Sequence, residues 1–300
     1  MKIFKALASG FSRTLKTWKG ILFMWLTSLL TVSLIAIPVK AFLKSGFGGS
    51  MITERFKDGL DIEALGDLGQ GFRNMLASAP VTLLLLLIIG MLLYSFLTGG
   101  IFDTLKAGGR NFSGRDFFSA CSGNFWSFLV IYLIIGLLSA ILMFIAILLP
   151  VSLVAQADSG SETAIYNTVI IAISFYFIIM TILMLTADYA RAWQVNSGKQ
   201  ACFTAIGFGF GRTFRTFLSS FPLMLILVIV QILFTMAVIM FIGRWKPVTG
   251  GGVFLMFILS QILFFVRCGL RVWRYGSVSS LMELKNEDFQ KTKVTDIPNI

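Results

Sequence analysis

The chain is 300 residues long, 57% hydrophobic and only 13% charged, with 25 Lys and Arg against 14 Asp and Glu for a formal net charge of +11. So little charge excludes a soluble globular domain, which would lack the polar surface needed to cover itself. The complete lack of histidine excludes Ser-His-Asp catalysis, His-ligated zinc or iron and a histidine proton relay.

Six windows hold no charged residue: 20–39, 74–102, 117–157, 163–187, 216–243 and 247–266. A helix rises ~1.5 Å per residue, so each window is long enough to cross a hydrocarbon core ~30 Å thick. The predicted fold is all-α and polytopic, with transmembrane helices at about 20–42, 79–102, 127–151, 164–187, 217–242 and 250–273. These form one domain over 1–282, and a polar cytoplasmic tail occupies 283–300.

The first element, Met1 to Trp18, is basic and amphipathic. Ile3, Phe4, Leu7, Phe11, Leu15 and Trp18 recur at helical spacing, while Lys2, Lys5, Arg13 and Lys16 fall largely elsewhere, as in a helix lying in the membrane interface. The apolar run that follows is too long for a signal-peptide core and lacks a small-x-small cleavage site, so it is expected to remain as a span. The external segment 44–73 mixes both charge signs around Ile62, Leu65 and Leu68 and is predicted to be a surface helix. The window 117–157, at 41 residues, is expected to fuse an uncharged interfacial helix to the third span. A second basic aromatic helix, with Phe203, Ile206, Phe210, Phe214 and Phe217 beside Arg212 and Arg215, precedes the fifth span. Such helices either anchor the start of a span or form a cytoplasmic belt for anionic lipid or a partner protein.

The borders of the windows repeat. Gly10-Phe11-Ser12-Arg13-Thr14-Leu15-Lys16-Thr17-Trp18 matches Gly209-Phe210-Gly211-Arg212-Thr213-Phe214-Arg215-Thr216-Phe217 at seven of nine positions in identity or type, and Ala120 to Phe128 occupies the same place before the third span. Leu97-Thr98 and Leu185-Thr186 close spans two and four, and Arg191-Ala192-Trp193 resembles Arg271-Val272-Trp273. Three parallel-repeat hairpins with cytoplasmic amphipathic helices account for this pattern. With both termini cytoplasmic, 18 Lys and Arg fall inside against 7 outside, which satisfies the positive-inside rule. The basic balance therefore needs no nucleic-acid partner. Cys121, Cys202 and Cys268 fall on or near the cytoplasmic side, odd in number and without metal spacing. No catalytic residue, cofactor or metal ligand is predicted.

Polar residues within or beside the spans define the candidate sites. Arg267, Arg271 and Arg274 follow one another at spacings of four and three, and Asp188 and Arg191 end span four at comparable depth. They either anchor the helix ends or, with Arg212 and Arg215 nearby, form an inward-facing basic pocket for a lipid headgroup or another anion. Gln231 and Gln261, near the middles of spans five and six, are expected to hydrogen-bond across that helix pair, contributing ~1 kcal/mol. Pro38, Pro150 and Pro222 lie near span ends and support no broken-helix transport site.

The linker Gly99-Gly100-Ile101-Phe102 through Asp116-Phe117-Phe118 and the exit Asp188-Tyr189-Ala190-Arg191-Ala192 resemble the six-span membrane domain of bacterial glycerophosphodiester phosphodiesterases and related prokaryotic six-span proteins. In that family the chemistry belongs to a separate soluble domain, so the resemblance implies a membrane module without catalytic residues of its own. The expected setting is the bacterial cytoplasmic membrane, and the expected partners are membrane lipids, anionic ones among them, and a protein on the cytoplasmic face. The competing expectation is a transporter or permease subunit, with linkers 103–116 and 189–215 docking a soluble energising protein.

Overall fold

The computed structural model describes residues 2–47, 69–106, 112–156, 161–198, 201–245 and 249–295. Among them every regular element is a helix: α1 (Lys2–Lys16), α2 (Trp18–Phe47), α3 (Gly69–Thr104), α4 (Gly114–Gln156), α5 (Glu162–Ser197), α6 (Cys202–Arg215), α7 (Phe217–Arg244) and α8 (Gly250–Thr295). Among the described residues five helices are long and apolar enough to cross a membrane, namely α4, α5, α7, Pro80–Thr104 of α3 and Gly250–Lys285 of α8. A sixth is gained when Lys2–Lys16 and Trp18–Leu34 are taken together as one bent pair. The protein is thus a multi-pass helical membrane protein. Residues 48–68, most of the external segment, lie outside the described residues.

The chain falls into two compact units, Met24–Tyr94 and Met1–Phe23 with Ser95–Ile300. The smaller unit turns its apolar side chains outward, including Leu30, Leu34, Leu83 and Leu87. In a bilayer these positions meet acyl chains, and the pattern is that of a span rather than a core helix.

The larger unit has a helix break on each side of which the same chemistry recurs. Thr17 separates α1 from α2, and its hydroxyl donates to the Arg13 carbonyl at 2.9 Å. Thr216 separates α6 from α7, and its hydroxyl donates to the Arg212 carbonyl at 2.8 Å. A hydroxyl that bonds back four residues favours bending, which turns each short basic helix away from the helix that follows. No such break occurs in α4, which runs as one helix from Gly114 and joins the uncharged segment that begins at Phe117 directly to a span, as expected. Its one irregularity is a π turn over Phe144–Leu148, in which the Leu149 N–H reaches the Phe144 carbonyl. That wider turn stands immediately before Pro150, which cannot donate to the helix ladder.

α1 packs along α8 and α6 along α5, in both cases through small residues. α1 buries Ala6, Gly10 and Thr14, and α6 buries Ala205, Gly209 and Thr213 together with Ile206. A methyl group at Gly10 would run into the backbone of Ser277, and one at Gly276 would lie 2.9 Å from the Gly10 carbonyl oxygen. Likewise a methyl at Gly209 would lie 2.5 Å from the Thr186 carbonyl oxygen. Only glycine permits these crossings. Around α4 the small residues sit on the other partner: Gly99 and Gly100 of α3 lie against Ala120, Cys121 and Phe117.

Apart from Ile206, the largest apolar residues of the short helices and of the turns that follow them remain outside these crossings. Phe4, Phe11, Leu15 and Trp18 are exposed, as are Phe203, Phe214 and Leu218. At its far end α8 continues as a helix to Thr295. Glu283 is docked there, accepting from Arg13 Nη2 at 2.7 Å.

Candidate functional site

The densest polar chemistry lies where α5, α6, α7 and α8 meet. From Leu185 to Ala192 every residue of α5 is buried, because α6 crosses it at Gly209 on one side and α8 covers another. Asp188 is fully buried in this stretch and accepts from two arginines: Arg191 Nη1 at 3.2 Å and Arg274 Nε at 2.9 Å. Both arginines are buried as well, and the Arg274 guanidinium lies over the Tyr275 ring, 5.1 Å from its centroid. Taking such charges out of water is expensive, so each guanidinium draws on this carboxylate for compensation.

A hydroxyl cluster extends the polar layer. Tyr189 and Ser220 share a hydrogen bond of 2.6 Å, Ser220 and Thr216 one of 2.7 Å, and Thr186 donates to Thr213 at 3.2 Å. Gln194 Nε2 donates to Ser127 Oγ at 3.3 Å, tying the end of α5 to α4. The two arginines at matching places in the short helices each reach a carbonyl just beyond a span. Arg13 Nη1 donates to Leu105 O at 3.0 Å, and Arg212 Nη2 donates to Met282 O at 3.3 Å. Burial lowers the pKa of Arg212 from its ordinary value, opposed by neighbouring Tyr189 and reinforced by Arg215. The group remains cationic at neutral pH.

The seven sequence-predicted anion-site residues are therefore not brought into one pocket. Asp188, Arg191 and Arg274 form the buried cluster, Arg212 serves a carbonyl elsewhere, and Arg215 is exposed. Spacings of four and three do put Arg267, Arg271 and Arg274 near one side of α8, yet burial runs from exposed Arg267 through half-buried Arg271 to buried Arg274. The helix dives into the bundle along that length, so one side faces different surroundings at successive turns.

Arg267 and Arg271 instead line a separate groove of about 340 Å³ formed by α5, α7 and α8. Met184, Val228, Ile232, Met236 and Leu270 supply its apolar walls, and Gln231 and Thr235 its neutral polar groups. Among the described residues no carboxylate lines it. Met184 stands between the groove and the buried cluster, with its sulfur 4.0 Å from Arg274 Nη1.

The two glutamines do not pair with each other. Gln231 Nε2 does bridge α7 and α8, but it donates to the Leu270 carbonyl at 3.2 Å, nine residues from Gln261. Gln261 Oε1 is buried without a hydrogen-bond partner. An antiparallel pair places residues at one level only when their distances from the turn match, and here Gln231 meets Leu270. The thiols Cys121, Cys202 and Cys268 are free.

Sequence reasoning missed Tyr189, Ser220, Thr186 and Thr213, all of types common in membrane helices. It also missed the packing stripes. The signal was present as Ala6-x-x-x-Gly10-x-x-x-Thr14 and Ala205-x-x-x-Gly209-x-x-x-Thr213, the same three small residues at the same spacing. Compared with known proteins, the chain matches no family profile, no curated protein and no solved structure.

Proposed function

We propose that the chain is a non-catalytic integral membrane module that engages anionic lipid, built as three parallel hairpins rooted at the cytoplasmic face of a bacterial inner membrane. The observation that carries this reading is the outer surface of the short helices. Phe4 and Phe203 are each 74% exposed, beside exposed Lys2, Lys5, Lys16 and Arg215, and Lys19 and Leu218 continue the surface into the first turns of α2 and α7. Large apolar side chains next to cations suit a surface lying among acyl chains and anionic headgroups.

Three crossings support the hairpin repeat. α1 rests its glycine on the exit of the last span pair, α4 rests on Gly99 and Gly100 at the exit of the first, and α6 rests its glycine on the exit of the middle one. In this reading each hairpin begins with a segment that rests on the small residues at the exit of another. The contacts of residues 7–13 with 273–283 support a reading with both ends of the chain on one side, and the Lys and Arg distribution favours the cytoplasmic one. A module of this kind agrees with the resemblance to the membrane domain of glycerophosphodiester phosphodiesterases. The transporter reading is less well served, because residues 189–192 and 194–195, part of the 189–215 linker it would use for docking a soluble protein, are buried.

Gentle purification from the native membrane tests the proposal. Anionic phospholipid enriched over the bulk membrane is the expected result. Co-purified lipid that mirrors the bulk composition, or a stoichiometric ATPase, would overturn it.

A further inference from the structure

We infer that the groove formed by α5, α7 and α8 holds a single anionic phospholipid, its phosphate against Arg267 and Arg271 and one acyl chain along the apolar wall. The inference rests on the lipid-engaging reading above and names the site and ligand class within it. Arg267 follows Gly250 by 17 residues, ~25 Å of helix rise, so its Cα lies short of the far edge of a ~30 Å hydrocarbon core. It is exposed and makes no hydrogen bond or ion pair to the described residues. An arginine at that depth is costly unless its head reaches the headgroup layer or meets an anion.

The surroundings select which anion. Asp188, the nearest buried carboxylate on α5, is held by Arg191 and Arg274, and Met184 separates it from the groove. The neutral polar groups are likewise committed to the protein: Gln231 Nε2 donates to Leu270 O, and Thr235 Oγ1 donates to Gln231 O at 2.8 Å. Positive charge in the groove therefore comes from guanidiniums, whose planar N–H fork suits a phosphate. Ile232 and Met236 follow Val228 at intervals of four on α7, giving a continuous apolar strip that runs away from Arg271. A free phosphate would leave that strip unused, whereas a phospholipid covers both parts.

Native mass spectrometry of the full-length protein in mild detergent, titrated with phosphatidylglycerol and with phosphatidylcholine, tests this site. Wild type is expected to retain phosphatidylglycerol in preference to phosphatidylcholine. Arg267→Gln with Arg271→Gln is expected to weaken phosphatidylglycerol on the order of thirty-fold and phosphatidylcholine, whose choline offsets its phosphate charge, by less, so that the preference is lost. Ile232→Trp with Met236→Trp keeps both charges, alters two exposed positions that should tolerate bulk, and is expected to weaken both lipids by filling the strip. Wild-type affinity for phosphatidylglycerol in both variants overturns the groove. If the same variants still co-purify with enriched anionic lipid, the broader reading stands without this site; if wild type shows no such enrichment, the broader reading falls with it.

Discussion

The two short basic helices use one design on two very different partners. α1 presents Ala6, Gly10 and Thr14 to α8, more than 260 residues away in sequence, whereas α6 presents Ala205, Gly209 and Thr213 to α5, the helix just before it. Each ends at a threonine that bonds back four residues, and each sends an arginine to a carbonyl beyond a span. The partners differ. The α5 crossing carries a buried aspartate with two arginines, while the α8 crossing is fixed by Trp273 Nε1 donating to Leu7 O at 2.9 Å and by the half-buried Arg13–Glu283 pair. Backbone proximity through small residues is thus the shared requirement, and the polar chemistry around it is free to vary.

The largest effect is expected at Asp188, whose carboxylate belongs to only one of the two crossings. Asp188→Ala leaves Arg191 and Arg274 buried without their counterion and should cost ~3–5 kcal/mol. Unfolding in mixed detergent micelles measures this. A loss no larger than that of a surface ion pair would show that Asp188 is not what compensates the arginines. Adding Arg274→Met should recover part of the loss, since the pair rather than either charge is what the bundle accommodates.

Next in size are the glycines. Gly10→Leu and Gly209→Leu each force a side chain into backbone that cannot retreat, at ~1–3 kcal/mol or more. Hydrogen exchange separates the two crossings. Gly10→Leu should lose amide protection in α1 and leave α6 protected, and Gly209→Leu should do the reverse. Loss of protection in both helices from either change would mean that the two crossings are one cooperative unit.

Much of the fold was legible because membrane spans are written in charge-free length, and the fusion of an uncharged first segment to a span in α4 followed from the 117–157 window alone. The matching short helices were legible as a repeat of Gly-Phe-x-Arg-Thr. Their packing face was not, because hydrophobic periodicity points to Phe4, Phe11 and Leu15, and in a membrane these large residues stay outside while small ones make the contact. The candidate site was legible in part. Pairing of Asp188 with a cation could be read from the sequence, but the division between sequestered Arg274 and groove-lining Arg267 depends on where α8 enters the bundle. No local pattern encodes that.

The smallest expected effects come from the two glutamines, which the sequence treats as equals. Gln231 lies on the part of α7 that meets α8 and bonds across to a carbonyl, so Gln231→Leu should cost ~0.6 kcal/mol, near the average for an interhelical hydrogen bond in a membrane. Gln261 buries an acceptor oxygen with no partner, and Gln261→Leu removes that penalty while keeping most of the volume. It should be neutral or slightly stabilising in the same micelle unfolding assay. The sign difference is the informative part, since a comparable loss from both would mean that the two amides act as a pair and that α7 and α8 meet in a different register.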